Sequence, residues 1–234
     1  DAKTFHRAFI ESGGLAAVVR FFSMADDDDS HQSETRRGNA VALRILKCCL
    51  YADAEQDPSG GADGNPEVAG TELLSSTTYT EGLMKSLTTM VVDDPGISSF
   101  TILDVLRFLG LLLKSEQSAS TFVQLSGGMA NRFLTTVLSR DEDGDGPRTS
   151  SSVTASLQVR TTARDLVLRT PLLASNALAW LVDAVDSIDP KSETSLELFS
   201  TIESLVTEGC TMTSLRRPTI EELKHLADVT CRKI

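Results

Sequence analysis

Aromatic residues are scarce in this chain, at 5% of its 234 positions. Leu, Val, Ala and Ile must then carry the core, a composition that suits helix packed on helix. No apolar run reaches the about 18 residues that a membrane-spanning helix needs. A secretory apolar segment and an Asn-x-Ser/Thr sequon are also lacking, so the expected location is cytoplasmic. The four cysteines, Cys48, Cys49, Cys210 and Cys231, show no CxxC and no zinc spacing. They are expected to be buried reduced thiols. His6, His31 and His225 lie far apart, and no HExxH, GxSxG or phosphate-binding glycine motif occurs. No catalytic, cofactor-binding or metal-binding residue is therefore expected. Basic residues are outnumbered 22 to 33, which leaves a net charge of −11 and a pI near 4.7. That balance argues against nucleic acid and anionic membrane as partners, because both need clustered Lys and Arg. Basic partners stay open. The chain opens at Asp1 rather than at a methionine. It is expected to be a piece of a longer protein, though processing or tagging would give the same start.

What is present is helical periodicity, set out first between Phe9 and Ala52. Gly13-Gly14 can end one helix, since glycine takes the left-handed C-cap conformation cheaply. Leu15, Val18, Val19 and Phe22 then recur on one helical face. Val41, Ile45, Cys48 and Cys49 repeat the pattern after an acidic loop, with Ala42 and Leu46 beside them. Neither stripe can be buried by its own helix, so such units are expected to stack.

The pattern returns along the chain. From Thr71 a helix carries the stripe Leu83, Leu87, Met90 and Val91, and Asp93-Asp94-Pro95-Gly96 breaks it. Ile102, Leu106, Leu109 and Leu113 mark a helix apolar enough for burial on more than one side. A short helix to Leu125 meets Gly127-Gly128, preceded by Ser126 as Gly13 is by Ser12. Met129 to Arg140 follows, with Phe133, Leu134, Val137 and Leu138 inward. Val153, Leu157 and Leu166-Val167-Leu168 then mark a helix ending before Pro171. Leu172-Leu173, a break at Ser175-Asn176, a helix Ala177–Ser187 and a helix from Ser192 to Glu208 complete the series. A last helix is expected with Pro218 in its first turn. Leu87-Thr-Thr-Met-Val, Leu134-Thr-Thr-Val-Leu and Leu181-Val-Asp-Ala-Val stand 47 residues apart in turn. A period of about 40–47 residues built of two or three helices is the armadillo/HEAT range. The expected fold is all-α, an armadillo/HEAT-like α-solenoid of about four repeats over residues 1–234. Its units are placed at about 1–52, 71–114, 116–169 and 171–208, with a final helix at 218–233. Loops 24–33, 53–70 and 141–151 are expected to be flexible. An irregular helical bundle is the rival.

Four features invite a chemical reading. Asp141, Asp143, Asp145 and Gly146 match the start of an EF-hand loop, but Ser152 stands where its bidentate Glu belongs. A solvated acidic loop is the better reading there, and at Asp26 to Asp29. Cys48 and Cys49 lie late in a helix, where the dipole disfavours a thiolate. Arg36 and Arg37 fall in a first helical turn, against the macrodipole. They are read as structurally paired, as a solvated face, or as partner contacts. Trp180, the single tryptophan, is read as core before contact. Familiar armadillo proteins hold peptides with an Asn on each third helix, and Cys48 stands at that place here.

One resemblance is sharp at Glu34-Thr35-Arg36-Arg37-Gly38, followed by Ala42-Leu43-Arg44-Ile45-Leu46-Lys47. With the FxxxGGL stretch at Phe9 to Leu15, these residues look like the long non-catalytic region of giant fat-facets-type ubiquitin-specific proteases. Val159-Arg160-Thr161-Thr162-Ala163 ahead of Pro171-Leu172-Leu173 continues the likeness. The inserted Gly- and Asp-rich loops depart from it. The resemblance implies a cysteine-type deubiquitinase as parent protein. The cysteine and histidine boxes of such enzymes are absent here, so this segment would be a non-catalytic interaction scaffold. Its partners would be its own catalytic domain, ubiquitinated substrates or adaptors. The alternative is an armadillo/HEAT adaptor module of an unrelated large protein, such as a HECT-type ubiquitin ligase or a trafficking scaffold. The reading least favoured is an enzyme in its own right.

Overall fold

The computed structural model describes residues 8–9, 12–24, 38–39, 41–46, 77–94, 96–139, 150–187, 193–211 and 217–233. Among the described residues the protein is all-helical, with no strand. The chain divides into two compact units, Asp1–Met90 and Val91–Ile234.

In the first unit helix α1 spans Gly14–Met24, residues 41–46 are helical, and α2 spans Thr77–Asp93, running past the unit's end. The glycine break before α1 has a physical basis in its neighbours. Gly13 has φ +81°, a backbone region that side chains other than glycine's rarely enter. A Cβ on Gly14 would overlap the Phe9 ring. The Ser12 amide donates to the Ala8 carbonyl at 2.9 Å, and its hydroxyl donates to the Phe9 carbonyl at 2.9 Å. Gly38 repeats the close approach, since a Cβ there would stand 2.7 Å from Cζ of Phe21. Ala42, Leu43 and Leu46 are buried, whereas Val41 and Ile45 are exposed. The inward stripe of this helix is therefore rotated from the expected one. Val41 and Ile45 fit a helical face by spacing, but Ala42, Leu43 and Leu46 supply an adjacent one, and packing selects it.

On α2, Leu83, Leu87 and Val91 are buried as their spacing requires, but Met90 of the expected stripe is half-buried and Met84 is buried instead. Asp94 stops the helix: its Oδ1 accepts from the Gly96 amide at 2.9 Å, a local turn in competition with a further helical turn.

The second unit holds α3 (Ser99–Leu112), α4 (Glu116–Val123), a 3-10 turn at Ser126–Gly128 and α5 (Met129–Leu138). It continues with α6 (Ser150–Arg169), α7 (Pro171–Ser187), α8 (Glu193–Thr211) and α9 (Ile220–Lys233). Ser98 caps α3, its Oγ accepting from the Thr101 amide at 3.2 Å. Seven residues of α3, Leu103, Val105 and Phe108 among them, are buried, so it is enclosed on more than one side. Phe122 of α4 meets Phe133 of α5 edge to face, with centroids 6.1 Å apart. α3 packs on α6, and α6 also on α5 and α7. α7 is the hub of the unit, packing on α4, α5, α6, α8 and α9.

Three expectations are corrected. Ser175 and Asn176 do not break the chain, because α7 runs unbroken from Pro171 to Ser187. Both side chains bond back to carbonyls four residues earlier, Ser175 Oγ to Pro171 and Asn176 Nδ2 to Leu172, each at 2.8 Å. This outlet lets such residues sit inside a helix. Pro218 does not occupy the first turn of α9, which begins at Ile220. Thr219 is its cap: Glu222 Oε2 accepts from the Thr219 amide at 2.7 Å, and Thr219 Oγ1 from the Glu222 amide at 3.2 Å. These two bonds form a reciprocal capping box. Finally, Cys231 is exposed rather than buried, since α9 buries the face carrying Val229. Cys48, Cys49 and the loops 25–33, 53–70 and 141–149 lie outside the described residues.

Candidate functional site

The second unit carries a groove of about 400 Å³ between α3 and α6. Its volume falls within the range of about 300–1,000 Å³ usual for binding sites. Leu106, Leu113 and Leu166 form its apolar floor, each less than a tenth exposed. Gly110 opens it from the last turn of α3. A Cβ on Gly110 would lie 3.7 Å from Cδ1 of Leu166, an ordinary contact, so close packing does not demand glycine there.

Charge gathers around this floor. Arg107 stands on α3, Lys114 in the turn just beyond its C-terminal end, and Arg169 in the last turn of α6. Among the groove-lining residues one carboxylate, Asp165, opposes these three cations. Arg169 reaches Asp165 at 3.9 Å and Arg107 reaches Asp104 at 3.8 Å. Both pairs are long and solvated, and exposed pairs of this kind contribute about 0–1 kcal/mol. Lys114 is exposed and pairs with no carboxylate among the described residues. The guanidinium groups are therefore free to turn toward a ligand at little cost. Two arginines and a lysine over an apolar floor suit an anionic group joined to an apolar one, the arginines offering paired donors to a carboxylate.

A smaller hollow of about 220 Å³ lies between α7 and α9. Leu178, Ala179 and Val182 line one side, and Glu221, Glu222 and His225 the other. His225 Nε2 stands 3.1 Å from Asp183 Oδ1, and Arg232 reaches Asp186 at 3.4 Å. These contacts tie α9 to α7 and leave the hollow with less cationic character than the α3–α6 groove.

The residues singled out in sequence do not converge on either place. Arg36 and Arg37 lie outside the described residues. Trp180 is half-buried on α7, with Ala177 and Ala184 buried beside it, and it lines neither depression. The groove escaped sequence reading because its two walls lie about half a hundred residues apart. One signal was available: Arg107 and Lys114 are seven positions apart, in and just after a strongly apolar helix. Among the described residues, no three His, Cys, Asp or Glu side chains are grouped to hold a metal ion, and no helix is long and apolar enough to cross a membrane. Compared with known proteins, the chain matches no family model, no curated sequence and no solved structure.

Proposed function

We propose that this chain is a protein-interaction module built as an armadillo-like α-solenoid, a non-catalytic scaffold segment of a large ubiquitin-specific protease. One observation carries the solenoid reading. Three stripes spaced by 47 residues are buried alike: Leu83, Leu87 and Val91 on α2; Ala130, Leu134 and Leu138 on α5; Ala177, Leu181 and Val185 on α7. Each of the nine is at most 2% exposed. Burial that recurs at a fixed period is what a repeated helical unit predicts. Packing in the second unit points the same way, since the helix pairs with substantial contact lie within three helices of each other along the chain.

The parent enzyme is inferred from the resemblance at Glu34 to Gly38 and at the FxxxGGL stretch. Of the glycines in these motifs, Gly38 lies against Phe21 and Gly14 against Phe9, while Gly13 takes the positive φ. A scaffold of this kind would present helical surface to its catalytic domain, to ubiquitinated substrates or to adaptors. The test is hydrolysis of ubiquitin-aminocoumarin by this chain, run beside sequencing of its full reading frame. The expected result is no turnover, with a Gly-Asn-x-x-x-x-Cys-Tyr stretch and a histidine box encoded elsewhere in the frame. Turnover lost on replacing Cys48 or Cys49 would overturn the scaffold reading. A complete frame without those boxes would overturn the deubiquitinase parent.

A further inference from the structure

We infer that the α3–α6 groove is a docking site for a short extended acidic peptide, one apolar side chain flanked by carboxylates. The inference rests on the interaction-scaffold reading and names its partner chemistry. Four observations carry it. The floor at Leu166 is apolar and the rim is cationic, so the groove asks for an apolar group with anions beside it. This rim stands on a chain of net charge −11, where three clustered cations run against the general field. The intramolecular partners of Arg107 and Arg169 lie at 3.8 and 3.9 Å, too long to hold them against an incoming carboxylate. Gly110 leaves the cleft open at a place where packing would accept a side chain.

The placing of the cations around the floor sets the pattern of the ligand. Arg107 stands on α3 and Lys114 just beyond its C-terminal end, with the apolar floor of Leu106, Leu113 and Leu166 between the cations. The pattern is thus acidic, apolar, acidic. The apolar side chain would sit over Gly110, one carboxylate at Arg107 and the other between Lys114 and Arg169. Asp165 penalises a third acidic side chain near Arg169, which limits the motif to two anions.

The experiment is fluorescence anisotropy of the full chain with labelled peptides carrying Glu-Leu-Glu, Gln-Leu-Gln or Lys-Leu-Lys between Gly-Ser spacers. Glu-Leu-Glu should bind about tenfold tighter than Gln-Leu-Gln, a difference expected of charge-assisted bonds and reduced by added salt. Lys114→Glu and Arg169→Glu, both at exposed positions, should each remove that preference. Gly110→Leu should fill the cleft and abolish binding without lowering the melting temperature, because leucine favours a helix over glycine. Should Gly110→Leu fail to fold, the two charge reversals decide alone. Equal binding of all three peptides, or a preference for Glu-Leu-Glu that survives Lys114→Glu and Arg169→Glu, would overturn the inference. So would tighter binding of a short oligonucleotide than of Glu-Leu-Glu. If Glu-Leu-Glu does not bind while the chain still captures ubiquitin or the catalytic portion of its parent, the groove assignment fails and the scaffold reading stands. If none of these is bound, both fail.

Discussion

α7 and α9 are neighbours in the second unit and are held by different physics. α7 buries Leu173, Ala177, Leu181, Val182 and Val185 almost completely, against five other helices. α9 has one core residue, Val229, while its Ile220 is 72% exposed. A fully buried leucine contributes about 1.5–3 kcal/mol of transfer free energy. α7 therefore rests on burial. α9 rests on its capping box, on one buried valine and on solvated contacts from His225 and Arg232. The contrast shows that helices of similar periodicity differ in stability by how many neighbours surround them. The two depressions differ in charge: Glu221, Glu222 and His225 line one side of the α7–α9 hollow, whereas Arg107, Lys114 and Arg169 rim the α3–α6 groove.

Four substitutions test this comparison. Leu181→Ala should have the largest effect, destabilising the protein by about 2–5 kcal/mol through lost transfer energy and the cavity left behind. A chemical-denaturation midpoint would measure it, and a loss under about 1 kcal/mol would deny α7 its role as hub. Val229→Ala removes two buried carbons at about 0.8 kcal/mol each and should cost about 2 kcal/mol. A cost equal to that of Leu181→Ala would erase the distinction between the helices. Thr219→Ala should cost about 1 kcal/mol by removing a cap that satisfies the Glu222 amide. Amide exchange should then quicken across α9 and stay unchanged across α7, and acceleration in both helices alike would show them to open as one. Asp183→Ala should be the mildest, at less than about 1 kcal/mol, because its pair with His225 is largely solvated.

Much of the fold was legible in the sequence. The stripes Leu83-Leu87-Val91 and Phe133-Leu134-Val137-Leu138 are buried as their spacing required. Asp94 and Ser98 mark the turn after α2 and the start of α3 where the Asp-Pro-Gly run stands. Local rules misled where a side chain had a second outlet. Ser175 and Asn176 look like helix breakers until their bonds to Pro171 and Leu172 are seen. Thr219 and Glu222 carried a capping-box signal that the more conspicuous Pro218 obscured. Val41 and Ile45 had a helical spacing, but the choice between adjacent stripes depends on what lies against them.

The helical class and the glycine break at Gly13-Gly14 can be read from the chain alone. They follow from periodicity and backbone sterics, which act over a few residues. The candidate site belongs to the packing of distant helices. Arg107, Lys114, Gly110, Leu166 and Arg169 become one groove only when α3 packs on α6. That pairing is set by complementary side-chain volumes on helices separated by two others in the chain, and no local rule of spacing encodes it.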